Sequence, residues 1–267
     1  MIARKAGVIG KPIAHSRSPQ LHLAAYAALG LHQWTYERLE CDAAGVPALV
    51  RSRGADWVGL SVTKPAKVAA LHLADVRTPR AVTVGAANTL VRTAQGWVAD
   101  CTDVDGVLGA LGADGLDGAR AVVLGAGGTA RAAVVGLAGA GVDAVALVVR
   151  DESHARDTVA CAETVGVRAT VVPFEPGAVG RACRGAAVAI STVPSAAVQP
   201  LIGCLATVPA VLDVIYDPWP TPLGTAVQAA GGRLASGLDM LLHQAFGQVE
   251  LFTGLPAPRA AMAAALR

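Results

Sequence analysis

Lysine is scarce in this chain of 267 residues. It occurs only as Lys5, Lys11, Lys64 and Lys67, and the other eighteen of the 22 basic residues are arginines. Arginine stays protonated, whereas a lysine ammonium group can give up its proton and take part in proton transfer. Two of the four lysines lie in the segment 61–67 (SVTKPAK). Either both are solvated surface charges, or one of them has a chemical role that arginine cannot fill.

Charged and aromatic residues are also few, at 16% and 4% of the chain. The net charge is only +2, and there is no basic run interleaved with aromatic residues, which argues against a nucleic-acid partner. Hydrophobic residues make up 53% of the chain and are mostly alanine and valine. A chain of this length and composition can form a large core of small side chains, in one large domain or in two.

The sequence lacks the usual patterns of a metal site or a membrane segment. Its five cysteines and six histidines are scattered, without a CxxC or HExxH motif, so no metal is predicted. An odd number of scattered cysteines favours reduced thiols and a cytoplasmic location. The first ten residues have no apolar stretch typical of a signal peptide, and glycines and charges interrupt the apolar region 121–149.

Apolar segments alternate with helical patterns, which predicts an α/β fold with a mainly parallel sheet. Ser18 and Pro19 indicate a helix start, with the serine as N-cap and the proline in the first helical position. A long helical pattern follows Gly237 and extends to about Phe252. The segments with a strand pattern are 6–9, 34–37, 57–62, 121–124, 143–149, 171–174, 187–191 and 211–215.

A glycine loop lies between an apolar strand pattern and a helix pattern of small residues. Residues 125–130 (GAGGTA) match the dinucleotide-binding pattern G-x-G-x-x-A. Gly125 permits a tight turn, Gly127 lets the main chain approach a pyrophosphate, and Ala130 lets the helix pack closely on its strand. The loop therefore predicts a dinucleotide site at a helix amino terminus. The alternative is a glycine turn that serves only compact packing.

The end of the next predicted strand bears on the choice of cofactor. Val149 is followed there by Arg150 and Asp151. An arginine at this place pairs with the 2′-phosphate of NADP, whereas an acidic residue accepts hydrogen bonds from the ribose of NAD. Because the arginine comes first, the sequence favours NADP. Arg150 could instead be a solvated charge, and Asp151 could turn away, cap the next helix or weaken the phosphate site.

Further polar residues cluster outside the nucleotide loop. They supply hydroxyls, an amide, a carboxylate and an ammonium group, a set that suits a small polyhydroxylated acid better than an apolar ligand. The clusters are residues 15–19, Thr63 with Lys67, residues 85–89, residues 101–103, Tyr216 and Gln244.

The chain resembles the shikimate dehydrogenase family over nearly its full length. The polar clusters lie within sequence motifs that are similar to those of the family. The segment 59–67 (GLSVTKPAK) is similar to the family motif G-x-N-V-T-x-P-x-K. Six such motifs in order are far more specific than the glycine loop alone. The other matching segments are 10–19 (GKPIAHSRSP), 88–89 (NT), 102–103 (TD), 216–223 (YDPWPTPL) and 237–244 (GLDMLLHQ).

The resemblance implies two α/β domains with the active site in the cleft between them. A substrate-binding and catalytic domain with a mainly parallel sheet would span residues 1–105 plus 238–267, and a Rossmann-like, doubly wound NADP-binding domain would span 106–237. The implied activity is that of an oxidoreductase of the shikimate pathway, which serves aromatic amino acid biosynthesis. The expected partner is a small-molecule substrate, shikimate or 3-dehydroshikimate, and neither nucleic acid nor a membrane. The chain would be a monomer or a homodimer.

The resemblance also implies roles for individual residues. Lys67 and Asp103 would be the catalytic pair. Ser16 and Ser18 would bind the substrate carboxylate with Tyr216 nearby. The residues that would hold ring hydroxyls are Thr63, Asn88 and Gln244. The cofactor-binding residues would be Gly125, Ala126, Gly127, Gly128, Thr129, Arg150, Val214, Gly237 and Met240.

Several of these residues also have purely structural interpretations. Ser18 is a good N-cap, and Asn88 and Thr102 suit satisfied turn positions. Tyr216 could be a core tyrosine with its hydroxyl at the surface, and Met240 at helical spacing is often a core residue.

The chain departs from the family motifs at a few positions. Ser61 replaces an asparagine and is expected to loosen the loop that follows it. Cys101 replaces another asparagine. Val149 and Asp151 replace the asparagine and threonine that flank the arginine between them, which removes two possible phosphate donors and adds a repelling charge.

The implied reaction is the reversible reduction of 3-dehydroshikimate to shikimate by NADPH. Negative charge grows on the C3 carbonyl oxygen as hydride arrives, and a protonated lysine beside that oxygen stabilises the charge and delivers the proton. If Pro65 occupies the first helical turn, Thr63 and Lys67 project to one side and Lys64 points elsewhere. This spacing favours Lys67 over Lys64 as the catalytic lysine.

Alternative functions follow from the same sequence. Asp151 motivates a quinate/shikimate dehydrogenase that also uses NAD. The polar set also leaves open an enzyme of secondary metabolism that acts on an amino-substituted shikimate analogue. A catalytically silent paralogue that senses nucleotide or ligand is a third alternative, but its expected mark is the loss of Lys67 or Asp103, and the chain keeps both.

Overall fold

The computed structural model describes residues 3–112 and 115–266. The chain divides into two compact units, the first formed by Met1–Thr102 with Leu241–Arg267 and the second by Asp103–Met240. Each unit has its own six-stranded sheet and its own hydrophobic core. Within the described residues, no helix is long and apolar enough to cross a bilayer, and no group of three or more His, Cys, Asp or Glu side chains is arranged to hold a metal.

The first unit is an α/β structure whose elements alternate along most of its length. Its strands are β1 (Lys5–Gly10), β2 (Thr35–Glu40), β3 (Trp57–Val62), β4 (Val76–Arg77), β5 (Thr89–Thr93) and β6 (Gly96–Asp100). Its helices are α1 (Ser18–Ala28), α2 (Val46–Arg51), α3 (Lys67–Leu73), α4 (Pro79–Val84), most of α12 (Gly237–Thr253) and α13 (Arg259–Ala264).

The sheet of the first unit has the order β2-β1-β3-β5-β6-β4. Three of its five pairings are parallel, and β5 pairs antiparallel with both β3 and β6. The sequence predicted β1, β2 and β3 but missed the other three strands. The β5–β6 hairpin turns at residues 94–95 (AQ), which lack the Asn-Gly or Asp-Gly signal of a tight turn.

Helix α1 begins at Ser18 itself, which corrects the predicted N-cap. Arg17 occupies the N-cap position, and no side chain caps the helix there. Instead, the main-chain N–H of Ser18 donates to Ser16 Oγ at 3.3 Å. The apolar face of α1 packs against α12 and α13 in one buried cluster, which joins the two ends of the chain in the first unit.

The second unit alternates strands and helices throughout. Its strands are β7 (Arg120–Leu124), β8 (Ala144–Val149), β9 (Arg168–Pro173), β10 (Val188–Ser191), β11 (Ala210–Asp213) and β12 (Arg233–Ser236). Its helices are α5 (Asp103–Leu111), α6 (Gly128–Gly139), α7 (Arg156–Thr164), α8 (Pro176–Cys183), α9 (Ser195–Val198), α10 (Ile202–Leu205), α11 (Pro222–Ala229) and the start of α12.

The sheet of the second unit has the order β12-β11-β10-β7-β8-β9, and all its pairings are parallel. The strand order reverses between β10 and β7, which makes this a doubly wound sheet with its ligand crevice expected at that point. The predicted α/β fold class is therefore confirmed. All eight predicted strands of the chain are present, with bounds shifted by up to three residues.

Small side chains let the layers of the second unit approach closely. Alternate residues of β7 enter two core clusters, with Ala121 and Val123 in one and Val122 and Leu124 in the other. In α6, a Cβ added to Gly136 would lie 3.3 Å from a main-chain oxygen of α5. The richness of the sequence in alanine, glycine and valine thus allows helices to cover both faces of a sheet at short range.

Candidate active site

The two lysines of the segment 61–67 differ in their surroundings. Strand β3 ends at Val62, a turn follows, and α3 begins at Lys67. Pro65 lies in that turn and not in the helix, so the premise of the spacing argument was wrong. Lys64 is exposed, whereas Lys67 is partly buried. Burial, and not helical spacing, separates the two lysines.

Main-chain hydrogen bonds hold Lys67 near Asn88. The Ala87 N–H donates to the Lys67 carbonyl at 3.0 Å, and the Val62 N–H donates to the Asn88 carbonyl at 2.7 Å. The Thr63 N–H donates to the main chain of β1 at 2.9 Å. Three residues with predicted roles, Thr63, Lys67 and Asn88, therefore belong to one hydrogen-bonded region of the first unit.

Asn88 is the centre of a buried amide and hydroxyl cluster. Its Oδ1 accepts hydrogen bonds from the Thr102 N–H at 2.7 Å and from the Thr89 hydroxyl at 2.9 Å. Its Nδ2 donates to Gln244 Oε1 at 3.1 Å and to Thr102 Oγ1 at 2.9 Å. The amide oxygen and nitrogen of Asn88 thus both have hydrogen-bond partners within the chain, as expected of a residue with a structural role. Asn88 also contacts Gln244, the other amide side chain predicted to bind ring hydroxyls.

A partly buried ion pair fixes the end of β6, three residues before Asp103. Arg80 donates from Nε and Nη2 to the two carboxylate oxygens of Asp100, at 2.6 and 2.5 Å. Burial alone would raise the pKa of Asp100, but hydrogen bonds from Arg80 and Thr78 and the charge of Arg80 outweigh it and lower that pKa. No pattern in the sequence predicts this pair, because its partners are 20 residues apart with no motif between them.

The two serines predicted to bind a carboxylate are nearly buried at the start of α1. Ser16 is 8% and Ser18 4% exposed. Arg38 on β2 donates from Nε and Nη2 to the Ser16 carbonyl, at 3.0 and 2.6 Å. This forked contact fixes the main chain at Ser16 from the neighbouring strand.

The predicted substrate and catalytic residues are divided between the two units. Ser16, Ser18, Thr63, Lys67, Asn88 and Gln244 lie in the first unit. Asp103, which is 6% exposed and begins α5, falls in the second, as do Tyr216 and all the predicted cofactor-binding residues.

The glycine loop has the local geometry that its pattern predicts. Gly125 follows β7 with φ +99°, and a Cβ there would lie 2.5 Å from Thr192 Oγ1, so this position requires glycine. Gly127 is the N-cap of α6 and has open space where a Cβ would be. Ala130 is fully buried against the sheet. The loop therefore offers free main-chain N–H groups at a helix amino terminus, as an anion site needs.

A cavity of about 370 Å³ opens beside this loop, and Arg150 and Asp151 line it together with His154. The Asp151 carboxylate accepts a hydrogen bond from the Ser153 N–H at 2.8 Å and caps the short helical turn Glu152–Ala155. The hydrogen bonds with Ser153 lower the pKa of Asp151. Of the alternatives for Asp151, the structure shows the capping role.

The sequence reasoning missed the far wall of this cavity. Phe174, Val193, Pro194 and Ala197 contribute to it. Three of them follow β10, the neighbour of β7 at the reversal of strand order. Residues after that strand are expected at a ligand crevice once the strand order is known, but the sequence alone did not give the order.

The predicted nicotinamide residues meet where α12 begins. A Cβ added to Gly237 would lie 2.1 Å from the Val214 carbonyl oxygen and 3.0 Å from Tyr216 Cδ1, so only glycine fits. Met240 is buried in the core of the second unit, with Val214 packed against the same cluster. The structure thus brings Val214, Tyr216 and Gly237 together. It gives Met240 a core position, and contact of Met240 with a cofactor stays a prediction.

Two family models match the ends of the chain. The model described as "Shikimate dehydrogenase substrate binding domain" matches residues 8–90. The model described as "Shikimate 5'-dehydrogenase C-terminal domain" matches residues 237–267. The two matched segments lie mainly in the first unit.

Full-length relatives carry the same description. The chain is 38% identical to Shikimate dehydrogenase (NADP(+)) of Methylobacterium radiotolerans, over 96% of this chain and 93% of the relative. Shikimate dehydrogenase of Mycobacterium tuberculosis is 59% identical, with a TM-score of 0.94 and 98% of both chains covered. The Thermus thermophilus enzyme, solved in complex with NADP(H) and shikimate, is 31% identical, with a TM-score of 0.84 and 98% of both chains covered.

Proposed function

The chain belongs to the shikimate dehydrogenase family, and we propose that it reduces 3-dehydroshikimate to shikimate with NADPH, reversibly, on the route to aromatic amino acids. It is then an oxidoreductase that acts on a CH–OH group. The observation that carries the proposal is the buried cluster of Asn88 with Gln244 and Thr102. Amides and hydroxyls converging in this way suit a polyhydroxylated ring.

In this proposal the first unit supplies most of the substrate site. Ser16 and Ser18 bind the substrate carboxylate, with the Tyr216 hydroxyl beside it. The ring hydroxyls are held by Thr63, Asn88 and Gln244. The near-complete burial of both serines supports this assignment, because a charged group is best held by hydrogen bonds where water is scarce.

Lys67 and Asp103 are the proposed catalytic pair. Bound NADPH supplies the hydride. The ammonium group of Lys67 stabilises the negative charge that grows on the C3 carbonyl oxygen and delivers the proton to it. In the reverse direction the Lys67 amine takes the proton from the C3 hydroxyl. Asp103 accepts a hydrogen bond from the substrate and favours the charged form of the lysine.

The second unit is the proposed NADP-binding unit. The pyrophosphate is held by the glycine loop, which consists of Gly125, Ala126, Gly127, Gly128 and Thr129. The loop fits that group because Gly127 leaves open space at the amino terminus of α6. Arg150, on the wall of the same cavity, pairs with the 2′-phosphate. The nicotinamide lies on the side of Val214, Gly237 and Met240.

The main rival is a quinate/shikimate dehydrogenase that uses NAD, which depends on Asp151 binding the ribose. That carboxylate is engaged with Ser153 N–H in its own turn, which favours NADP. The proposal is tested by following NADPH formation spectrophotometrically from shikimate and NADP⁺, with quinate and NAD⁺ in parallel. A higher kcat/KM with NAD⁺ or with quinate would replace the proposal with the rival function.

We also propose a cytoplasmic location. All five cysteines are free thiols, which suits a reducing compartment. The active form is a monomer or a homodimer, which size-exclusion chromatography with light scattering distinguishes.

A further inference from the structure

Ser61 stands where the family motif has asparagine, and it is buried in β3 with 3% of its surface exposed. Its hydroxyl accepts a hydrogen bond from the Tyr36 hydroxyl at 2.6 Å and donates one to Gln248 Oε1 at 2.7 Å. A serine hydroxyl can donate and accept at once. Ser61 is therefore held from two sides, which differs from the loosening expected from the sequence.

On one side of Ser61, Tyr36 connects it to the region of Ser18, one of the two serines proposed to bind the substrate carboxylate. The Tyr36 ring is stacked on His22, with 4.1 Å between ring centroids. Burial raises the pKa of Tyr36, while hydrogen bonds with Ser61 and with Ser18 act in the opposite direction. The Tyr36 hydroxyl donates to Ser61, and Ser18 lies on α1 one turn before His22, whose ring stacks on Tyr36.

On the other side of Ser61, Gln248 connects it by hydrogen bonds to Asn88, which is proposed to bind ring hydroxyls. Gln248 lies in α12, one turn after Gln244, and is 1% exposed. Its Nε2 donates to the Asn88 carbonyl and to Thr89 Oγ1, both at 3.0 Å. The Thr89 hydroxyl in turn donates to Asn88 Oδ1 at 2.9 Å. Gln248 therefore fixes the main chain of Asn88 and, through Thr89, its side chain.

We propose that Ser61 is a positioning residue that couples the carboxylate-binding and hydroxyl-binding parts of the substrate site, an inference that rests on the proposed function. Ser61 acts through Tyr36 on Ser18 and through Gln248 on Asn88. Buried donors and acceptors in such a chain have few alternative partners, so each bond fixes the direction of the next. Without the Ser61 hydroxyl, the Tyr36 hydroxyl and Gln248 Oε1 each lose one of their partners, and the hydrogen-bonded connection between the two parts of the site is broken. His22 remains between them, because it stacks on Tyr36 and hydrogen-bonds Gln248 Oε1 at 3.3 Å.

The expected effect falls on the substrate and spares the cofactor. Loss of the hydroxyl in Ser61→Ala should raise KM and Kd for shikimate about tenfold, the effect of a broken buried hydrogen bond. KM for NADP⁺ should stay at the wild-type value, because the second unit takes no part in this chain of bonds. Ser61→Thr keeps a hydroxyl and should restore most of the shikimate affinity.

The chain offers a matched control for loss of a buried hydroxyl. Tyr26 and Tyr36 lie in the same core cluster. The Tyr26 hydroxyl has no hydrogen-bond partner within the described residues, whereas the Tyr36 hydroxyl donates to Ser61. Tyr36→Phe should weaken shikimate binding several-fold, and Tyr26→Phe should leave it unchanged. Both variants keep the ring, so any general effect of the substitution on packing is common to the two.

A double variant tests whether the bonds act as one chain. If they do, Ser61→Ala with Tyr36→Phe should weaken shikimate binding by little more than Ser61→Ala alone, since the first change already disconnects Tyr36. The measurements are steady-state kinetics and isothermal titration calorimetry with shikimate, on the full-length chain.

Three results would overturn the inference. One is a shikimate Kd in Ser61→Ala within twofold of wild type. Another is an equal rise of KM for shikimate and NADP⁺, and the third is an equal effect of Tyr26→Phe and Tyr36→Phe. If Ser61→Ala does not fold, the tyrosine pair decides. A wild-type chain that neither binds nor oxidises shikimate refutes the proposed function itself, and the inference with it.

Discussion

The polar site of the first unit and the nucleotide loop of the second are built by different means. In the first unit, buried side chains bond one another, as Asn88 does with Thr102 and Gln244. In the second, the walls are mostly main chain and small apolar residues, and Gly127 contributes only space. The first site therefore depends on several side chains at once. The second depends on backbone conformation, and single side chains matter there at few positions.

Lys67→Ala should give the largest effect on the first site. Loss of the proton donor is expected to lower kcat by roughly 10²–10⁴-fold, the usual contribution of general acid–base catalysis. KM should change much less, because the ammonium group acts mainly in the transition state. Steady-state kinetics with shikimate and NADP⁺ measure both constants.

Lys64→Ala is the matched control, since Lys64 lies in the same segment but is exposed. Its kcat should stay near wild type. A near-normal kcat in Lys67→Ala, or an equal loss in both variants, would remove Lys67 from the catalytic role.

Gly125→Ala should give the largest effect on the second site. The residue has φ +99°, and its Cβ would meet Thr192 Oγ1 at 2.5 Å. A non-glycine residue in such a conformation costs up to about 3 kcal/mol, and the steric clash acts in the same direction. The free energy of unfolding in urea should fall by on the order of 3 kcal/mol, and the affinity for NADP⁺ should fall with it.

Gly203→Ala in the same unit has nothing within 4 Å of the added methyl group and lies in a helix. It should leave stability unchanged or slightly raised, because alanine favours helix. Equal destabilisation by Gly125→Ala and Gly203→Ala would mean that the positive φ of Gly125 does not require a glycine.

The side-chain network of the first unit should also make stability depend on pH. Burial lowers the pKa of His22 from its usual 6.5 to about 3, against the opposing effect of its hydrogen bond with Gln248. The unfolded chain therefore binds a proton that the folded chain does not, from pH 6.5 down to about pH 3. Stability should be lost across that window as the pH falls, by about 2 kcal/mol between roughly pH 7 and pH 5.

The measurement is urea unfolding at the two pH values for wild type and for His22→Phe. The substituted ring can keep stacking on Tyr36 but does not titrate. Its stability should change less over the same range. Parallel pH profiles for the two chains would show that His22 does not contribute this dependence.

Local patterns in the sequence were sufficient for most of the fold. Five of the six strands of the second unit contain apolar runs between helix patterns, and such runs can be recognised one at a time. Strand β12 (RLAS) was missed because it is short and begins with an exposed arginine. The hairpin of β5 and β6 was missed because its strands have only five residues each and its turn lacks an Asn-Gly or Asp-Gly pair. The helix boundary at Ser18 was off by one position, since the bond from its N–H goes to Ser16.

Non-local contacts explain what the sequence could not give for the site. Motifs pointed to Asn88 and Gln244 separately, but their hydrogen bond joins positions 156 residues apart. The roles of Ser61 and Gln248 depend on a contact over 187 residues, for which neither residue has a local pattern. Asp151 shows the opposite case. Its capping bond spans two residues, and capping was among the alternatives that the sequence offered.

Arg150→Ala is the smallest of the expected effects and the sharpest test of the second site. Arg150 is exposed on the cavity wall, so its proposed pairing with the 2′-phosphate is partly screened by water. KM for NADPH should rise about tenfold while KM for NADH stays unchanged, because NADH lacks that phosphate. Asp151→Asn is the companion variant, since its side chain can still cap the turn while losing its charge. If Arg150→Ala raises KM for NADPH and KM for NADH equally, Arg150 does not bind the 2′-phosphate. The choice of cofactor would then depend on the backbone of the second site, as the binding of the pyrophosphate does.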